Sequence, residues 1–286
     1  KGSVTEAAQT LHLAQPTVST QLAKLSQTSG IALFEQIGKK LFLTDAGKDM
    51  LAASRDMFDV LDNLETRFAQ RAGLSIGHLR ISAVTTSKYL VPNWLGSFCQ
   101  QYLSIEPEFN IGNRAEIINR LQQNIDDLYI FSHLPKELDI DAQPLTENPL
   151  VLIAPLDHPL ASQTNLSWDD VRAERFLIRE KGSGTRFAVE RFFKQYGEPN
   201  LRPLTIASNE AIKESVVAGL GIAIISRHAL SHMAPGNLFE LDIKELPIKT
   251  CWYLVTLRGK AISPVTQAFK AHIDKMVGMR RNYPVN

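Results

Sequence analysis

The fold turns on Ser3 to Leu25, SVTEAAQTLHLAQPTVSTQLAKL. Ser3 and Glu6 have capping-box spacing, which predicts a helix from Val4. Ala7, Ala8 and Leu11 give that helix a small apolar face. His12-Leu13-Ala14 reads as a short turn. Gln15-Pro16 opens a second helix, with Pro16 expected at the first helical position, where its missing N–H costs nothing. Val18, Leu22 and Leu25 fall at i, i+4, i+7 and predict its buried stripe. Gln15, Thr17, Ser19, Thr20, Gln21 and Lys24 are left facing outward. Two short helices, a tight turn and a polar outer face describe a helix-turn-helix. Gln can pair with adenine in two places, Ser and Thr reach bases or phosphates, and Lys reaches phosphate or guanine. A plain helical hairpin is the competing reading of these residues alone.

The next residues favour the helix-turn-helix. Leu33 to Gln36 reads as a strand, Gly38-Lys39-Lys40 as a cationic tip, and Leu41 to Leu43 as the returning strand. Thr44-Asp45-Ala46-Gly47 then caps a new helix. Such a wing places Lys39 and Lys40 on phosphates beside a recognition helix. From Ala46 to about Ala72 the chain has no Pro, and Gly73 follows as a stop. Met50, Ala53, Met57, Val60 and Leu64 form a heptad seam, widened by Leu51, Ser54, Phe58, Leu61 and Phe68. That width favours pairing with a second chain over packing on the helix's own domain.

These segments resemble the LysR-type transcriptional regulators. The matching pieces are Ala7, Ala8 and Leu11; Gln15, Pro16 and Ser19; Leu33 and Phe34; and Leu43, Thr44, Ala46 and Gly47. The chain departs from the family at Ser26, where Glu is usual, and at Gln36, where Arg is usual. Gln36 removes one expected cation from the DNA backbone. The resemblance implies a bacterial DNA-binding regulator that pairs through the long helix. It implies a homodimer or a homotetramer built as a dimer of dimers, with RNA polymerase as a protein partner.

Strand and helix patterns alternate beyond the linker at Gly73–Gly77, which predicts α/β structure with a largely parallel sheet. Expected strands include Leu79–Val84, Phe109–Asn113, Asp127–Phe131, Leu150–Ile153, Phe176–Ile178, Leu204–Ala207, Ile222–Ile225, Phe239–Leu241 and Trp252–Leu257. A turn is expected at Pro235-Gly236 and a last helix from about Pro264 to Val277. Two α/β lobes joined by two crossings make the bilobal architecture of periplasmic solute-binding proteins, also the effector domain of LysR regulators. The expected organisation is a winged helix-turn-helix over 1–45, a dimerisation helix over 46–73 and an effector-binding domain over 78–286. Its first lobe is expected at about 78–153 and 254–286, its second at about 154–253.

Three hydroxyl-rich segments should meet at the cleft: Thr85-Thr86-Ser87 with Lys88, Gly182-Ser183-Gly184-Thr185, and Ser208-Asn209. Each is expected to cap a helix, and helix N-termini favour anions. Arg179, Lys181, Arg186 and Lys213 stand beside them. Helices in open α/β sheets start at the carboxyl ends of strands, where ligands bind. Ordinary capping would explain any one segment alone. Asn113-Arg114, 126–130, 147–150, 182–186 and 208–213 are similar to the regulators of carbon dioxide fixation operons. That similarity implies a small anionic or phosphorylated metabolite as effector, with Asn113 added to its site.

Composition narrows the alternatives. The 286 residues carry 31 Lys and Arg against 30 Asp and Glu, a net charge of +1. Over residues 1–72, eight basic residues balance eight acidic ones. DNA binding therefore has to come from the placement of charges, not their sum. Cys99 and Cys251 have no CxxC or Cys/His spacing and read as buried thiols of a reducing compartment, hence a cytoplasmic protein. No apolar run is long enough to span a membrane. There is no P-loop, no G-x-S-x-G, no H-E-x-x-H and no scattered-His metal pair, so we expect neither an enzyme nor a cofactor. The chain opens at Lys1 with no room for the helix that usually precedes this motif, so we expect the native N-terminus to lie upstream. The rival readings are a stand-alone solute-binding protein, which has no use for a helix-turn-helix, and a bilobal enzyme fused to a hairpin, for which no residue set names a reaction.

Overall fold

A computed structural model describes residues 3–37, 40–71, 77–230 and 237–281. Lys39 and the wing tip, the linker at 73–76, the Pro235-Gly236 turn and the Phe68 side chain lie outside the described residues. The chain separates into two compact units, Lys1–Asp62 and Asn63–Asn286, so the division falls inside the long helix and not at the linker.

In the first unit α1 (Val4–Thr10) and α2 (Gln15–Ser29) form the two helices. The Ser3 hydroxyl accepts from the Glu6 N–H at 3.4 Å. Helix α2 starts at Gln15, so Pro16 holds the second helical position; its missing N–H is still among those with no partner inside the helix. Val18 is buried but Leu11 is 60% and Leu25 41% exposed. Helix α1 is about 10 Å long and α2 about 22 Å. The shorter helix covers only the first half of the expected stripe, and Leu11 lies past its last turn. Strands β1 (Phe34–Ile37) and β2 (Lys40–Leu43) pair antiparallel as the wing. Thr44 ties its base. Its N–H donates to Leu33 O, its hydroxyl donates to Ala32 O at 2.7 Å and accepts from the Gly47 N–H at 3.0 Å. Helix α3 (Asp45–Arg71) follows.

The second unit holds two five-stranded sheets. The first is β3 (Gly77–Val84), β4 (Ile105–Gly112), β5 (Leu128–Phe131), β6 (Ile140–Glu147) and β12 (Cys251–Leu257), in the order β4-β3-β5-β12-β6. Only β4-β3 and β3-β5 are parallel, so the sheet is mixed, as is the second one, and not largely parallel. Helices α4 (Val91–Gln101), α5 (Arg114–Gln122) and α9 (Pro264–Arg281) cover it, burying Trp94, Phe98, Ile117, Leu121 and Phe269.

The second sheet runs β11 (Leu238–Glu240), β7 (Leu150–Pro155), β10 (Ile222–Ser226), β8 (Phe176–Ile178) and β9 (Leu204–Thr205). Its strands alternate between two cores. Leu150, Leu152, Phe176 and Ile224 meet α6 (Trp168–Val171) and α7 (Gly184–Tyr196). Val151, Ile153, Leu177 and Ile225 meet α8 (Asn209–Val217) on the other face. Residues 150–153 belong to the second lobe, not the first, because β7 pairs with β10 and β11. The chain crosses between lobes after β6 and again before β12.

Among the described residues no helix is long and apolar enough to cross a membrane, and no His, Cys, Asp and Glu cluster could hold a metal. Cys99 and Cys251 are thiols, half-buried rather than buried.

Candidate functional site

Two regions carry the residues singled out in the sequence. On α2, Gln15, Pro16, Thr17, Ser19, Thr20, Gln21 and Lys24 are all exposed, as is Lys40 at the start of β2. Val18 is the buried apolar position of α2, and this polar set lies exposed around it. The Thr20 hydroxyl donates back to Pro16 O at 2.9 Å.

The other region is a narrow, partly open cleft between the lobes. It is lined by Val84 at the end of β3 with Thr85 and Thr86 after it, by Asn113 and Arg114 after β4, and by Ser132 after β5. Arg179 after β8 and Ser183, Gly184 and Thr185 at the start of α7 complete it from the second lobe. Every contributor sits at the carboxyl end of a parallel strand or at the helix that follows it, the place where open α/β sheets take ligands. Thr86, Arg179, Ser183 and Thr185 are buried.

Small residues let the lobes approach. Gly182 has a φ of +90°, and a Cβ there would lie 3.4 Å from Ala115 Cβ and 3.7 Å from Asn113 Oδ1. A Cβ on Gly184 would come within 2.8 Å of Ser132 Oγ. The Ser183 hydroxyl accepts from the Arg186 N–H and caps α7 as expected. Asn113 caps α5 in a reciprocal box with Glu116, so it ends β4 as a cap and not as a strand residue. The segment Thr85–Tyr89 departs from expectation. It forms a 3-10 turn, and its hydroxyls do not cap α4. Thr85 donates to Gly112 O at 3.0 Å and Ser87 to Val84 O at 2.7 Å, pinning the turn to the strand ends.

The expected cations scatter. Arg179 reaches the space, but its Nε and Nη2 donate to the two Glu180 carboxylate oxygens at 2.8 and 2.9 Å, and its Nη1 donates to Asn209 Oδ1 at 2.6 Å. Arg186 turns to Glu190 at 2.7 Å and to Arg179 O at 3.0 Å. Lys88 pairs with Glu210 at 2.7 Å. Ser208 caps α8 and donates to Glu210. Lys213 is buried, with its ammonium donating to Ala229 O at 2.9 Å, and burial pulls its pKa down. Lys181 is exposed. Ser87, Lys88, Gly182, Arg186, Ser208 and Asn209 therefore stand outside the lining; the last joins it only through Arg179.

Val84, Arg114 and Ser132 line the space without having been singled out as site residues. Arg114 donates from Nε to His133 O at 3.0 Å and from Nη2 to Leu134 O at 3.2 Å. Its signal in the sequence was its place directly after the Asn113 cap, at the strand–helix junction.

Residues 1–48 match the family profile described as "Bacterial regulatory helix-turn-helix protein, lysR family", and residues 72–277 match "LysR substrate binding domain". The chain is 44% identical, over 94% of its length and 88% of the relative's, to the HTH-type transcriptional activator CmpR of Synechocystis. It is 39% identical, over 95% of its length and 88% of the relative's, to a RuBisCO operon transcriptional regulator of Acidithiobacillus ferrooxidans. Among solved structures it resembles the Synechocystis CcmR regulatory domain in complex with 2-PG, with TM-score 0.67 and 44% identity over 73% of this chain and 99% of that one. Full-length CbnR complexed with its target DNA shares the fold, with TM-score 0.66 at 19% identity over 96% of this chain and 94% of that one. With both halves matched in this order, the chain belongs to the LysR family of helix-turn-helix transcriptional regulators.

Proposed function

We propose that this regulator takes a short anionic acid, most simply a phosphorylated one, between its two lobes and controls genes of carbon fixation in response. The observation that carries the reading is the lining itself. It combines hydroxyls of Thr85, Thr86, Ser132, Ser183 and Thr185, the start of α7 and the cations Arg114 and Arg179, with no carboxylate. Hydroxyls, backbone N–H groups and guanidinium are donors suited to phosphate and carboxylate oxygens. The identity to a domain solved with 2-PG supports the same ligand class here.

The exposed face of α2 reads promoter DNA at a pseudo-palindromic site, with Lys39 and Lys40 on phosphates. Two-fold sites need two recognition helices, supplied by a homodimer or homotetramer that pairs through α3. The protein then works on RNA polymerase in the cytoplasm, with the effector as its small molecule and no cofactor. The effector must favour one arrangement of the lobes or subunits over another, because equal affinity for both would change nothing at the promoter.

Calorimetry of the full chain against 2-phosphoglycolate, Calvin-cycle phosphates, nicotinamide dinucleotides and small dicarboxylates tests this, paired with gel shifts on its own promoter. Binding of one phosphorylated acid with altered promoter affinity is expected. Binding of neutral or aromatic compounds alone would overturn it.

A further inference from the structure

We infer that Arg114 is the residue through which the cleft reads the charge of its ligand, and that Arg179 instead organises the second lobe. This rests on the anionic effector proposed above and assigns its recognition to one side chain.

Two cations line the cleft, and their surroundings differ. Arg179 is 3% exposed and holds Glu180 through two parallel charge-assisted bonds, so its charge is already balanced. Its third partner, Asn209, ties it to the start of α8. Lys88, Arg186 and Lys213 have partners elsewhere, on Glu210, Glu190 and a backbone carbonyl, and Lys181 is exposed outside the lining.

Arg114 has no carboxylate in ion-pair contact among the described residues. A guanidinium has five N–H groups, and here two of them go to neutral carbonyl oxygens, of His133 and Leu134. These bonds fix the orientation of the plane without cancelling its charge. Burial pulls the Arg114 pKa down, with Glu137 opposing at longer range, so the environment works against the charged form. An arginine remains protonated regardless.

Its position adds to that cost. Arg114 is the first residue of α5, where the helix dipole already presents positive charge. A cation there is disfavoured, and a Glu or Ser would suit the helix better. Across the cleft stands the start of α7, also positive, with a Gly184 Cβ position 4.0 Å from Arg114 Cδ. Among the described residues Arg114 makes no ion pair, although the Glu116 carboxylate already sits in the first turn of α5. An anion seated between α7 and Arg114 would complement the start of α7 and use the N–H groups left over. The ligand class this describes is a short acid with at least one multiply charged group facing Arg114 and oxygens left for the hydroxyls of Thr86 and Ser183.

The test is calorimetric titration of the full chain with 2-phosphoglycolate, comparing Arg114→Gln, Arg114→Lys and Lys194→Gln, the last removing an exposed charge further along α7. A charged hydrogen bond in such a site is worth roughly a 10- to 100-fold change in affinity. Arg114→Gln should weaken binding by that amount, with thermal unfolding unchanged, and Lys194→Gln by less than about threefold. Arg114→Lys keeps the charge but loses the planar fork, and should fall between wild type and Gln. If Arg114→Gln fails to fold, Lys decides: a weakening of about 3- to 10-fold supports the assignment, and wild-type affinity overturns it. Wild-type affinity in a folded Arg114→Gln overturns the role of Arg114 while leaving the anionic effector standing. Absence of binding to the unaltered chain by this and every other phosphorylated acid overturns both.

Discussion

Tyr89 Oη donates a 2.6 Å hydrogen bond to Glu210 Oε1, joining the turn after β3 in one lobe to the first turn of α8 in the other. The Lys88 ammonium takes the second carboxylate oxygen at 2.7 Å. The Tyr89 ring is buried among Val151, Leu177 and Ile212 of the second lobe, so a side chain of one lobe completes the core of its neighbour. Burial and the bond to Glu210 push the phenol well above its ordinary range. Thr85 and Thr86 begin the same turn, and Asn209 next to Glu210 holds Arg179. The cleft and this clasp therefore share both of their supports.

The clasp makes stability depend on pH. Burial works against the Glu210 carboxylate, but hydrogen bonds from Lys88 and Tyr89 outweigh it and hold the group at about 2, below its ordinary 4.5. A lowered folded-state pKa stabilises the protein above about pH 4.5, and the gain is lost as pH falls toward 2. Thermal unfolding between pH 6 and pH 2.5 should show a drop that Glu210→Gln makes shallower. Tyr89→Phe should lower stability by about 1 to 2 kcal/mol at pH 7. Superimposable curves for wild type and Glu210→Gln would show that the clasp adds nothing.

Gly47 should tolerate no side chain. A Cβ there would sit 2.0 Å from Leu33 O, a backbone atom already accepting from the Thr44 N–H. The overlap cannot be relieved by a rotamer change, so Gly47→Ala should destabilise the first unit by at least about 2 kcal/mol. Denaturant unfolding would register this as loss of the first unit's transition, and an unchanged midpoint would contradict the packing at the base of the wing.

On DNA, Gln15→Ala and Ser19→Ala should narrow the gap between promoter and random duplex, because base contacts carry discrimination. Lys40→Ala should instead weaken all duplexes alike and reduce the salt slope by about 1. Fluorescence anisotropy at several salt concentrations separates the two. A change in specificity from Lys40→Ala, or none from the α2 substitutions, would move the reading surface off α2.

Helix α3 leaves Met57, Phe58, Val60, Leu61 and Leu64 exposed, from 42% to 69%, along one stretch. Such a surface on a single chain marks an interface. Phe58→Glu with Leu61→Glu should give a monomeric mass by light scattering at micromolar concentration, and promoter affinity should fall with it. Retained assembly in that double variant would place the contact elsewhere.

What could be read from the residues follows how local each feature is. Val18, Thr44 and Gly47 announce their roles within a few neighbours, since caps, turns and stripes are properties of adjacent residues. The bilobal order followed from strand–helix alternation. The placement of β7 did not, because Leu150–Ile153 is apolar on every side and only its pairing with β10 and β11 decides which lobe it joins. Ser183 was legible for the same local reason, as a cap, whereas Thr86 lines the cleft from a 3-10 turn and not from the helix cap its neighbours suggested. Lys88 reads as a ligand group because only the fold brings Glu210 beside it, whereas Arg186–Glu190 at i,i+4 and Ser208–Glu210 two residues apart are pairs that the local sequence already offers. Arg114 shows the opposite: nothing nearby in sequence reveals that, among the described residues, no carboxylate forms an ion pair with it.

His133 offers a direct view of that cation. Its ring packs at a tilt against Phe187 of α7, with centroids 4.3 Å apart, bridging the lobes. Burial first, then the charges of Arg114, Arg191 and Lys136, hold its pKa below 6.5. A histidine neutral in the folded state and charged on unfolding removes stability as pH falls below 6.5. Arg114→Gln deletes one of those charges and should move the His133 titration up toward 6.5. A multiply charged anion seated against Arg114 should move it the same way in the unaltered chain. Proton NMR of the imidazole Cε1–H, followed from pH 8 to pH 5 with and without 2-phosphoglycolate, reads both shifts on one resonance. An unmoved titration on adding a saturating amount of the anion would mean that the ligand binds away from Arg114, since any anion brought near His133 stabilises its positive charge.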